Sequence, residues 1–206
     1  MKFDTPLTAT LIIAAICVSI FCLESYNYVS REEFGVKSGV MTEEPWRFLT
    51  FEFTHDGMEH LLMNLLGLVL AGFLAFKLGI RGSVFLAVFL IAGFLTVMPP
   101  LLTSCPYTFV GASAGVCGLF GAVAVWFRRY GLPSLLILSL FFFALTASPM
   151  VEALSGSSGS VIEAFMHSFG LILGAGLALI CEGIAPLWVG KIKASELKPR
   201  LRKYGG

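Results

Sequence analysis

GASAGVCGLFGAVAVWF, residues 111–127, contains no charged side chain and one hydroxyl, Ser113, near its head. A helix apolar on every side is buried on every side, in a large core or in a membrane. The rest of the chain decides between the two. Of its 206 residues, 57% are hydrophobic and 13% charged, against about 45–50% and about 25% in soluble domains. The chain therefore reads as a membrane protein. A net charge of +1 excludes nothing, because the charges are segregated along the chain.

Five further apolar segments surround the first, giving spans at about 7–23, 59–76, 83–102, 113–127, 132–151 and 161–181. Most approach the roughly 20 residues needed to cross about 30 Å of hydrocarbon. The segment 7–23 exceeds a secretory h-region of about 7–15 residues and reads as an anchor that stays. Very short links at 77–82 and 128–131 make their flanking helices antiparallel neighbours. With both termini inside, 11 of the 14 Lys and Arg residues are cytoplasmic, leaving Arg31, Lys37 and Arg47 outside, as the positive-inside rule favours. The expectation is an all-α polytopic membrane protein: a six-transmembrane-helix bundle over residues 1–185 with both termini cytoplasmic. A basic cytoplasmic tail, 186–206, follows, either solvated or lying on anionic headgroups.

In that topology spans two, four and six all run inward from the outer face. Their outer ends carry most of the polar side chains with chemistry. Gly111-Ala112-Ser113-Ala114-Gly115 opens span four. It spells the GxSxG of soluble α/β-hydrolases, but no strand precedes the serine, so the strand–turn–helix context fails. Small-xxx-small packing through Gly111/Gly115 and Gly118/Ala122 stays open beside a nucleophile. His167 in span six is followed at +3 and +7 by Gly170 and Gly174, a face on which another helix can approach closely. A lone membrane histidine bonded to a neighbouring helix is the plain alternative. His60 and Asn64, at i and i+4, share one face of span two. They suit two donors for a developing oxyanion, or an interhelical hydrogen-bonded pair.

Depth ties the clusters together. Span four has 15 residues, roughly 22 Å at about 1.5 Å each, which sinks Ser113 roughly 8 Å below the outer boundary. The same rise puts His167 about 9 Å and Asn64 roughly 7–8 Å down. Ionisable groups gathered at one membrane depth are a functional hypothesis by default.

This set resembles the rhomboid intramembrane proteases: HxxxN in the second helix, GxS at the head of the fourth, HxxGxxxG in the sixth. Trp46-Arg47 and Phe53-Thr54-His55 resemble the family's first outer loop and the run into helix two, so the likeness covers about 45–181. The resemblance implies a serine endopeptidase that cleaves transmembrane segments of membrane proteins near the outer face. Ser113 is then the nucleophile and His167 its general base, a dyad without a third acid. His60, Asn64 and the Ser113 backbone N–H would hold the oxyanion. Gly111, Ala114, Cys117 and Gly170 would line the cavity. The partners implied are transmembrane protein substrates and the lipid bilayer, in a bacterial-type inner membrane with the site opening outward. No nucleic acid, cofactor or metal is expected.

Other residues receive plainer readings. His55 beside Asp56 reads as a hydrated loop histidine. Trp46 reads as an interfacial anchor, and Arg47 as a partner of headgroups or loop carbonyls. Glu163 reads as a solvated acid in the first turn of span six, and the Ser/Gly run 155–160 as a mobile cap or a plain connector. Three positions depart from the family pattern: Ala114 after the serine, Met166 before the histidine, and Cys117 where an aromatic ring often stacks on the imidazole. Without that ring, His167 would be oriented by Phe120, Phe165 or Phe169. The five cysteines show no metal-ligand or disulfide spacing. The competing readings are a rhomboid-like protein that binds membrane helices without cutting them, and a small transporter. The latter lacks the inverted repeat such proteins carry.

Overall fold

Thr5 begins the first helix: its hydroxyl accepts the Thr8 N–H at 3.2 Å, and Pro6 follows at the first helical position, where the missing N–H costs nothing. A computed structural model of the protein describes residues 4–39, 43–102, 108–127 and 158–184. Among them, seven α-helices form: α1 (Pro6–Ser25), α2 (Arg31–Phe34), α3 (Arg47–Thr50), α4 (Met58–Lys77), α5 (Gly82–Leu102), α6 (Ser113–Phe127) and α7 (Ser158–Ile184). A 3₁₀ turn, Phe51–Phe53, joins α3 to the approach of α4. Four helices contain stretches long and apolar enough to cross a membrane: Pro6–Ser25, Met58–Lys77, Gly82–Pro99 and Ser160–Glu182. The helix α6 is apolar but shorter, at 15 residues.

The α4 helix shows how the sequence is turned inside out. Asn64, Gly67, Leu68, Ala71, Gly72 and Ala75 are buried, while Leu62, Leu66, Val69, Phe73 and Phe76 lie exposed at helical spacing. An exposed apolar stripe of this kind suits lipid and not water. Lys77 closes the helix as a cation at its negative end. Beyond it Gly79, at φ +71°, reverses the chain, and the Ile80 N–H bonds Ala75 O at 3.0 Å.

The opening run is neither lipid-facing nor peripheral. From Ala114 to Ala124 every α6 residue is buried, as is Trp126, because α4, α5 and α7 surround it. The most extensive packing is between α6 and α7. A Cβ on Gly174 would stand 1.8 Å from Gly118 O, and one on Gly121 would stand 1.9 Å from Leu171 O. Glycine is required at both because the two backbones touch. The α6 side of this contact is thus Gly118 and Gly121, and not the expected pairs Gly111/Gly115 and Gly118/Ala122. The α7 side, Gly170 and Gly174, follows the expected spacing.

At the opposite end Asp4 ties α1 to α5. Its carboxylate accepts the Ser83 N–H at 2.6 Å and Arg81 Nε at 2.9 Å. The Arg81 hydrogen bond, with Ser83 behind it, holds this carboxyl below its usual range.

Helices α1, α4, α5 and α6 lie within a few residues of the segments 7–23, 59–76, 83–102 and 113–127. The span expected at 132–151, Cys105 and the tail 186–206 lie outside the described residues. In contrast to expectation, α7 begins at Ser158, so residues 158–160 of the supposed cap are helical and Ser160 is buried. Glu163 consequently sits in the second turn and not the first.

Candidate active site

The head of α6 is set by a backbone device. Gly111 has φ +113°, a conformation open to glycine and costly for other residues. Its N–H donates to Phe51 O at 2.8 Å. A Cβ here would also meet the His60 ring, 2.5 Å from Cε1 and 2.7 Å from Nε2. One glycine therefore seats both the loop carbonyl and the imidazole. Ser113, two residues on, starts the helix and is half-buried. The first N–H groups of any helix lack intrahelical acceptors, so this end is electropositive.

The described loop segments between α1 and α4 hold this end in place. Val36 and Phe109 exchange both backbone hydrogen bonds, at 3.0 and 2.8 Å. Arg47 is buried; its Nη1 donates to Gly35 O at 2.7 Å and to Glu32 O, while Nε pairs with Glu44. Of the two readings for Arg47, loop carbonyls hold and headgroups do not. Trp46 is 50% exposed.

His60 is the third residue of α4. Its Nδ1 lies 2.6 Å from Asp56 Oδ1, and its ring meets His55 edge-on at 5.2 Å. Asn64 is buried, with Nδ2 donating to His60 O at 2.9 Å. One of its two amide hydrogens is therefore committed to its own helix. The other has no partner among the described residues.

His167, ten residues into α7, is buried beside Met166, and its Nδ1 has no hydrogen-bond partner among the described residues. A Cβ on Gly170, one turn further, would lie 2.7 Å from Ala114 O and 3.3 Å from Thr96 Oγ1. The crossing of α6 and α7 therefore falls beside Ser113 on one helix and His167 on the other. His60 and His167 are near enough to act on each other electrostatically. Ser113 makes no side-chain hydrogen bond among the described residues, so the two dyad candidates are adjacent elements without a formed bond. Gly111, Ala114, Cys117 and Gly170 are all buried. Of these, Gly170 receives the Ala114 carbonyl, so helix packing and the candidate nucleophile fall at the same crossing. Phe120 is buried in the core, whereas Phe165 and Phe169 stack on each other at 5.6 Å.

Two residues escaped the sequence reading. Glu52 is 1% exposed, its Oε2 has no partner among the described residues, and it fits where Gly93 and Gly115 lack side chains. Burial pushes its carboxyl well above the ordinary range, so it is neutral. Its signal was an acid between two phenylalanines, Phe51 and Phe53. Asp56, at i−4 from His60, was legible from that spacing. His55 corrects an expectation. It is fully buried and not exposed, neither ring nitrogen has a hydrogen-bond partner among the described residues, and burial, with His60 second, lowers its pKa to about 4. The 3₁₀ turn before it folds the chain inward, which a loop assignment does not foresee.

A family model, the Rhomboid domain, matches residues 42–183. No curated protein matches the chain.

Proposed function

Since the chain belongs to the rhomboid family, we propose that it is an active intramembrane serine endopeptidase using Ser113 and His167. The observation that supports this most directly is the α6–α7 crossing at Ala114 and Gly170. That contact lies one residue from Ser113 and three from His167, with a third polar residue, His60, packed on Gly111. His167 takes the Ser113 proton as Oγ attacks the scissile carbonyl, and water later resolves the acyl-enzyme. The oxyanion grows at the electropositive head of α6, within reach of the Ser113 N–H, His60 and the free hydrogen of Asn64. Hydrogen bonds between catalytic groups are often loose without substrate and tighten on binding, so an unformed Ser113–His167 bond is compatible with this role.

The substrate is a transmembrane helix that unwinds near its outer end, because a helical peptide carbonyl is hydrogen-bonded and shielded. The reading includes six spans, both termini cytoplasmic, and a site opening to the outer face of a bacterial-type inner membrane. The second reading, a helix-binding protein without activity, is favoured by the missing Ser113–His167 bond and by Cys117 in place of a ring.

A fluorophosphonate probe separates them. It should label wild type at Ser113, fail on Ser113→Ala and react far more slowly with His167→Ala. Both variants should lose cleavage of a transmembrane substrate, and the double variant should lose no more than either, as members of one unit do. Unlabelled wild type that cuts no substrate would establish the inactive reading.

A further inference from the structure

Asp56 is outside the set of residues that the proposed chemistry uses, yet it makes the shortest described contact to that set outside α4. Its Oδ1 lies 2.6 Å from His60 Nδ1. The opposite edge of the ring faces the head of α6. An ideal Cβ at Gly111 is 2.5 Å from Cε1 and 2.7 Å from Nε2, but 3.7 Å from Nδ1. His55 closes a third side edge-on. The ring is thus held with Nδ1 outward on a carboxylate and Nε2 inward, two residues from Ser113.

We propose that Asp56 is a positioning residue for His60, fixing the imidazole so that Nε2–H points at the developing oxyanion. This rests on the protease reading above. The proton count supports the carboxylate. With Nδ1–H donated to Asp56, a neutral ring offers only a lone pair at Nε2, whereas the protonated ring offers a second N–H. While Nδ1–H is bonded to Asp56, donation from Nε2 needs that second N–H, and the carboxylate beside the ring balances the charge that comes with it. Asp56 never touches substrate; it acts through His60. His55, buried and neutral, meets the ring edge-on and serves as the wall against which it is pressed.

The side chains of His60 and Asp56 are 27% and 57% exposed, so the ion pair by itself supplies at most about a fivefold effect. Complete loss of an oxyanion donor costs about 10²–10³ in rate. Asp56→Ala should fall between them, lowering kcat about tenfold with KM unchanged, while Asp56→Glu recovers most of the rate. The decisive measurement is the double-mutant cycle with His60→Ala on cleavage of a transmembrane substrate in liposomes. Once His60 is gone, removing Asp56 should change nothing further. Thermal unfolding should be the same for Asp56→Ala and wild type. Full kcat in Asp56→Ala, a rise in KM, or losses that add in the double variant would each overturn the proposal. Wild-type labelling by the fluorophosphonate is scored separately, so failure of the protease reading is recognised independently.

Discussion

Alanine at Gly174 adds one methyl group at the tightest point of the bundle. Its Cβ would stand 1.8 Å from Gly118 O and 2.4 Å from Gly118 C. Ordinary contact begins at 3.4 Å, so α6 and α7 must part by about 1.6 Å along that direction. Neither neighbour is a flexible side chain that can turn away. Overpacking of this sort costs about 1–3 kcal/mol. The catalytic loss should be larger in proportion. Gly174 lies two turns below His167, and a misplacement of about 1 Å can cost on the order of 10²-fold in rate. Gly176→Ala is the matched control, because a Cβ there meets nothing within 4 Å. Cleavage of a transmembrane substrate and thermal unfolding in detergent should both fall for Gly174→Ala and stay near wild type for Gly176→Ala. Equal effects of the two, or full activity in Gly174→Ala, would refute a close backbone crossing as the source of the site's geometry.

Glu52→Gln keeps the shape and removes the titration. The folded protein holds this proton to higher pH than the unfolded chain does. Wild-type stability should therefore drop as pH rises from about 4.5 to the folded pKa and then level off; unfolding midpoints across pH should show the Gln variant gaining on wild type over that window, and the opposite trend would contradict a buried neutral acid. Arg47→Lys cannot reproduce a guanidinium fork that serves Gly35 O, Glu32 O and Glu44 together. It should cost about 1.5–3 kcal/mol, as charged hydrogen bonds do, and speed amide exchange at Val36 and Phe109. With Cys22, Cys105 and Cys181 replaced, a small permeant alkylating agent should inactivate the protein slowly through buried Cys117, and Cys117→Ala should resist. Equal inactivation of both would remove Cys117 from the site.

Helices were legible in the sequence because their signals are local. Apolar length marks each span, and Thr5-Pro6 and Gly79 mark their ends. The i, i+4 spacing of His60 with Asn64 and of Gly170 with Gly174 carried most of the site, since a helix converts spacing directly into a shared face. The same rule would have found Asp56, had α4's polar face been extended one turn backward into the loop. What spacing does not encode is which faces meet. Gly118 and Gly121 looked no different from Gly111 and Gly115, yet Gly121 receives α7, Gly118 receives Ala92 of α5 with Gly174 against its backbone, and the second pair receives His60, Phe89 and Glu52. Likewise, burial of Arg47, Glu52 and His55 depends on a loop packing inward. Polarity argues against that outcome residue by residue, and only tertiary contacts override it.

Those three buried polar residues explain how irregular backbone is kept at the head of the apolar helix α6. Unpaired backbone groups are costly away from water, so non-helical chain is tolerated there only when protein covers it. The loop supplies the cover. Val36 pairs with Phe109, Phe51 O takes the Gly111 N–H, and the Glu52 carboxyl occupies the gap left by Gly115. Arg47 in turn satisfies the loop's own carbonyls at Glu32 and Gly35. Ser113 is consequently held from two directions: by the loop through backbone hydrogen bonds, and by α7 through glycine contacts. Neither side alone sets its position. A loosened loop lets residues 108–112 shift while the α6–α7 crossing persists, and a spread crossing moves His167 while the loop still grips Gly111. Perturbing the two sides separately, through Arg47 and through Gly174, should therefore harm catalysis by independent routes. Their costs should add, because the two positions share no partner.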